Sequence, residues 1–273
     1  MGIFLSLICV IAIFFYMPFS KTRTEFKKLS QQIVDNSNEF DGVFTEKEID
    51  KLPKPVQKYF NYCGFIGRPK MSYMNAVYKD VPFLKGKEGR KIKIDYNQYN
   101  LVSKPFRVAN IESSLLGIPF EGNEYYYDNV GRMKGVIAKT FTLFDVEGPE
   151  MNESSLITYL AECLIVPNAA LQSFIAWEEI DDLHAKGTIS YNGIIKSGVF
   201  TFNEEGAMTS FTTNDRWADK GDGTFEKVRW SALCSDYKEK NGIKQPTNFK
   251  AVWHYDDGDL VYFDSSNMKI EFR

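Results

Sequence analysis

The stretch HAKGTISYNGIIKSGVFTF (184–202) leaves its backbone few choices. Apolar and polar residues alternate on both sides of Asn192-Gly193. A period of two sends every second side chain to one face of a strand. Asn-Gly supplies the two left-handed residues of a two-residue hairpin turn. A lone hairpin is marginal in water, so its apolar face calls for more strands. The chain supplies them. KIKIDYNQYN (91–100) sets Ile92, Ile94 and Tyr96 on one face, and FRVANIESSL (106–115) follows. FEGNEYYYD (120–128) and RMKGVIAKTFTLFDV (132–146) flank the turn DNVG. In the second half, NEEG, KEKNG and DDGD punctuate AMTSFTTNDRW, FEKVRWSALCSDY, TNFKAVWHY, LVYFD and MKIEF. The pattern predicts about ten antiparallel strands in a meander. Aromatic residues, at 15%, favour the same half-buried pleated surfaces.

One segment breaks the pattern. SSLITYLAECLIVPNAALQSFIAW (154–177) reads as apolar helix, with Glu162 inside it and Pro167 five residues on. Two short helices broken at Pro167 are expected. A sheet of this size curls, and something must fill its inner face. The fold class is therefore α+β, mostly β: a large curved antiparallel sheet, or half-barrel, with short helices packed in its concave face. Glu162 has Thr158, Tyr159, Ile165 and Val166 at helical spacing. A carboxylate buried there needs a partner. Arg216 is the first candidate and Arg132 the second.

The N-terminus has another character. MGIFLSLICVIAIFFYMPFS carries no charged side chain. Its apolar run matches the length of a membrane-crossing helix, and it lacks the basic start and small-residue cleavage site of a signal peptide. Residues 1–20 are expected to be a single-pass transmembrane anchor. Lys21, Arg23, Lys27 and Lys28 follow it and favour a cytoplasmic main domain. Residues 21–44 read as a stalk or linker helix, with Phe26, Leu29, Ile33 and Val34 at helical spacing. Thr45 and Glu48 form a capping-box pattern. Pro53 and Pro55 suit a helix start, and Gly64 a helix end. Residues 45–273 then form a single domain.

Several functions are disfavoured. Lys plus Arg number 33 against 36 Asp plus Glu, so no basic excess exists for nucleic acid. The four cysteines have no paired spacing and read as core residues. His184 and His254 are the two histidines and lack ligands at metal spacing. DDGD and DKGDGT read as turns or loops. No catalytic motif, metal site or cofactor is expected.

LPKPVQKYF (52–60), DNVGRMKG (128–135), YLAECLIVPNAAL (159–171), AWEEID (176–181), FNEEGAMTSFTTNDRW (202–217) and GIKQPTNFKAVWHYDDGDLVYF (242–263) together resemble a bacterial family of unknown function. The late meander is also similar to the half-barrel of periplasmic lipoprotein carriers. That likeness implies a concave β surface able to hold an acyl or other apolar group. The first functional reading is a membrane-anchored, non-enzymatic binding module for an apolar or lipid-like ligand. Its expected ligand-binding residues are Tyr127, Glu162, Trp177, Arg216 and Trp253. The alternatives are an enzyme centred on Glu162 and a structural, envelope-associated interaction protein.

Overall fold

At Asn192 and Gly193 the backbone φ angles are 45° and 83°, and Tyr191 pairs with Ile194 across the turn. Asp128 and Asn129 repeat the device with φ of 49° and 68°. These turns set the registers of the strands around them. The computed structural model describes residues 2–37, 40–84, 86–87 and 89–273.

Four helices come first: α1 (Gly2–Tyr16), α2 (Lys21–Asp35), α3 (Glu46–Ile49) and α4 (Lys54–Cys63). The capping box of Thr45 and Glu48 opens α3, and Gly64 closes α4 in the left-handed region. Six strands follow: β1 (Tyr73–Leu84), β2 (Lys91–Leu101), β3 (Phe106–Leu115), β4 (Ile118–Tyr127), β5 (Val130–Ile137) and β6 (Phe141–Glu147). Then α5 (Pro149–Glu162) leads through a short 3-10 turn to β7 (Ile175–Asp181), β8 (His184–Tyr191), β9 (Ile194–Phe202) and β10 (Met208–Thr213). A small ribbon of β11 (Trp217–Asp219) and β12 (Phe225–Lys227) precedes β13 (Arg229–Lys240), β14 (Ile243–Tyr255), β15 (Gly258–Ser266) and β16 (Lys269–Phe272).

Fourteen of these strands form one sheet, in the order β6-β5-β4-β3-β2-β1-β15-β14-β13-β10-β9-β8-β7, with β16 also on β1. Its pairings are antiparallel. The total exceeds the expected ten. RMKGVIAKTFTLFDV, expected as one strand, turns back at Ala138 and Lys139, whose φ angles are 52° and 60°. Neither residue is a glycine, so the usual turn signal is missing.

The two edge strands, β6 and β7, are consecutive in the chain and do not pair with each other, so the sheet is no closed barrel. α5 connects them. It packs against β4, β5 and β6 from one end of the sheet and β8 and β9 from the other. Only a sheet curled around α5 can make both sets of contacts. Leu156, Leu160 and Leu164 are fully buried in the core between them. The helix ends earlier than expected, at Glu162 itself, well before Pro167.

The N-terminal expectations need correction. α1 is 15 residues long. At 1.5 Å per residue it extends about 22 Å, against a hydrocarbon core of about 30 Å. No helix among the described residues is long and apolar enough to cross a membrane. The single-pass anchor over 1–20 therefore does not stand, nor does the cytoplasmic placement drawn from its flanking charges. What ends the run is local chemistry. Ser20 caps α2, and Lys139 Nζ binds the backbone carbonyls of Phe14 (3.0 Å) and Met17 just before that cap.

The helix expected as a stalk lies on the sheet. Phe26, Leu29 and Ile33 of α2 pack with Leu101, Phe106 and Val108 in a second, smaller core. Arg23, one of the presumed flanking charges, bonds Glu112 at 2.8 Å. Strand alternation puts this core on one face of β2–β4 and α5 on the other.

Candidate functional site

The inner face of β2 begins apolar and turns polar. Ile94, Tyr96, Gln98 and Asn100 follow one another at a spacing of two. Asn100 stands opposite Arg107 of β3 in the strand register. Arg107 is 1% exposed and Glu162 6%. A guanidinium so deeply buried survives only among acceptors.

It has them. Arg107 Nε donates to Glu162 Oε2 at 3.3 Å, and Nη2 to Oε1 at 3.4 Å. Nη1 donates to Glu124 Oε1 at 2.8 Å, and Nη2 also to the Tyr96 hydroxyl at 3.0 Å. Gln98 Nε2 and Asn100 Nδ2 donate to Glu162 Oε2 at 2.8 and 2.7 Å. Burial works against the Arg107 charge, but Glu162, Tyr96 and Glu124 outweigh it and hold its pKa well above the ordinary value. Burial, followed by the Glu124 charge, pushes the Tyr96 hydroxyl far up, so it stays protonated. The network ties the C-terminal end of α5 to β2, β3 and β4.

Above this floor lies a cavity of about 720 Å³ between the sheet and α5. That is within the range of small-molecule sites. Tyr78, Ile111, Met133, Phe249, Trp253 and Phe263 give it an apolar wall. Arg107, Glu124 and Glu162 reach its floor, and exposed Lys87 and Lys220 stand at its rim with Asp219 and Glu226.

Of the five expected residues, the cavity gathers Glu162, Arg216 and Trp253. Tyr127 is elsewhere. It packs on Phe106 at 4.4 Å, on the face that carries α2. Three consecutive tyrosines must alternate, and Tyr126 takes the inner position. Trp177 is elsewhere too. Its ring lies 5.0 Å from Phe200, and its indole N–H donates to the Ala170 carbonyl at 2.9 Å.

The partner expected for Glu162 is also corrected. Arg216 does not bond it; its guanidinium sits over Trp230, 4.1 Å from the ring centre. Arg132 is held by Asp145 at 2.6 Å, on the neighbouring strand. Arg107 takes the role because strand pairing brings it beside Asn100 and under α5. Gln98, Asn100, Arg107 and Glu124 were all missed. The alternation of KIKIDYNQYN contained a signal: the face of Ile92, Ile94 and Tyr96 continues into Gln98 and Asn100. Amides on a core-facing row imply a buried polar partner.

Fold and site together define a mostly β protein whose curved sheet encloses an apolar cavity beneath a helix. The chain belongs to DUF6544, a family of unknown function whose model matches residues 42–265. The resemblance to such a family thus holds. No curated protein matches the chain. Among solved structures it is similar to a LolA superfamily protein from Nitrosomonas europaea, with 11% identity and a TM-score of 0.41. That similarity covers 78% of this chain and 92% of the other.

Proposed function

We propose that this chain is a non-enzymatic binding module whose half-barrel holds an apolar or lipid-like small molecule against α5. The observation that carries the reading is the cavity of about 720 Å³ with its aromatic and aliphatic wall. A space of that kind in the middle of a domain forfeits packing, which a fold optimised only for stability would recover. A catalytic role for Glu162 finds less support. Both its oxygens are engaged by donors from Gln98, Asn100 and Arg107, as suits a carboxylate that anchors α5 to the sheet.

Native mass spectrometry of the purified chain, followed by organic extraction, tests the reading through a co-purifying molecule. Titration with the neutral dye 1-aminoanthracene tests it without one. Saturable binding is expected, and Ala251→Trp, which fills the space, should abolish it. Dye binding that is absent, or that persists unchanged in the filled variant, would sink the proposal.

A further inference from the structure

The donors on the cavity wall are unequally served. Arg107 has an acceptor for each of its nitrogens. Arg216 does not: its Nε and Nη1 are out of contact with solvent and meet no protein acceptor among the described residues. A charged donor left in that state is costly, and native folds rarely keep one without a use. The guanidinium is nevertheless held in place. It sits over Trp230 and 5.4 Å from the Trp253 ring centre. Its own carbonyl accepts from Val228 N–H at 3.2 Å, and the next residue, Trp217, donates its N–H to Ser154 Oγ of α5 at 3.1 Å.

A second donor stands nearby. The Tyr262 hydroxyl accepts from the Trp230 indole N–H at 3.1 Å, and its own proton has no acceptor among the described residues. Burial raises its pKa against the opposing pull of the Arg216 charge, so the proton is retained at neutral pH. Tyr262 stacks on Trp253, and both line the cavity with Arg216. Glu124 and Glu162 line the same cavity, but Arg107 is bonded to both, and at Tyr262 the Arg107 charge opposes that of Glu124.

We propose that Arg216 and Tyr262 form a head-group site, so that the ligand is an anionic amphiphile with a carboxylate or phosphate on the Arg216 fork and its hydrocarbon part against the apolar wall. The proposal rests on the apolar-cavity reading above and adds the charge and the direction of the ligand. A planar fork of N–H donors matches both head groups in two-point contact.

The test uses the full chain with cis-parinaric acid and its methyl ester, both below the concentration at which they form micelles. The acid should bind on the order of tenfold tighter than the ester. Arg216→Met should remove that preference, so that acid and ester bind alike. Displacement by octadecanoate or by lysophosphatidate supports the inference, and the stronger competitor identifies the head group. Equal binding of acid and ester overturns it while leaving the apolar reading intact. So does a preference that survives Arg216→Met, or displacement by inorganic phosphate alone. If neither probe binds and 1-aminoanthracene does not either, the apolar reading itself fails. Should Arg216→Met not fold, the acid-to-ester ratio of the unaltered chain still decides.

Discussion

Arg107 and Arg216 line one cavity, yet Arg107 is enclosed by Glu162, Glu124 and Tyr96, whereas Arg216 rests on two indole rings with two nitrogens unmatched. Arg107 is wholly withdrawn from water, and Arg216 is half-buried with its Nε and Nη1 out of contact with solvent, so both carry a desolvation cost. At Arg107 the protein itself offsets that cost with carboxylates and a hydroxyl. The result is a clamp between α5 and the sheet. At Arg216 it offsets only part of the cost, through the ring faces. A buried cation satisfied by its own fold serves stability first, and one left incomplete points to a ligand.

The largest expected effect on stability is that of pH. Burial pushes the thiols of Cys63 and Cys234 from an ordinary 9.0 up to about 12. The folded state thus favours the neutral thiol. That stability is fully present below pH 9 and is lost as pH rises through about 12. For one thiol the loss reaches about 4 kcal/mol at the top of that range. Buried Tyr78, Tyr96 and Tyr159 are shifted in the same direction, chiefly by burial. Urea midpoints should be flat from pH 7 to about 9 and fall steeply above it. A flat profile through pH 11 would contradict the burial of these groups.

Within the flat window, Glu162→Ala should cost about 3–5 kcal/mol, because it leaves Arg107 with Glu124 and Tyr96 alone. Arg107→Met should cost a similar amount. A double-mutant cycle by urea denaturation should show a coupling between them above about 1 kcal/mol. Independent, additive losses would mean that the two side chains are not a clamp.

Gly131→Ala probes the other attachment of α5. An added Cβ would lie 2.5 Å from the Met151 carbonyl and 2.7 Å from Ser155 Oγ, both on that helix. The helix backbone must shift, at about 1–3 kcal/mol. Unchanged thermal stability would show that α5 does not depend on this close approach.

The smallest effect is expected at Arg216. Arg216→Met loses a contact over Trp230 but removes two unmatched charged donors, so stability should move by less than about 1 kcal/mol. A loss as large as that of Glu162→Ala would erase the distinction between the two arginines.

The legibility of the sequence follows the same division. Turns and strands were readable, because Asn192-Gly193 and Asp128-Asn129 specify left-handed backbone from neighbouring residues alone. The turn at Ala138 and Lys139 was not, because neither residue announces positive φ. The run of apolar residues at the N-terminus suggested a span, but the helix stops at Tyr16. Beyond it, Ser20 starts a new helix, and Lys139 holds the carbonyls of Met17 and Phe19 in between.

From sequence alone came a mostly β chain with an interrupting helix, and a carboxylate at Glu162 that demanded a cation. Alternation and turn chemistry are local, so they can be read along the chain. Which cation answers was settled only in three dimensions. Arg107 lies 55 residues from Glu162, and their meeting depends on the β2–β3 register and on the curl that brings α5 over it. Arg216, at almost the same separation on the other side, was the first candidate, but the tertiary structure placed it over Trp230 instead. Long-range pairing is decided by which faces the whole sheet can bury at once, and no single segment contains that information.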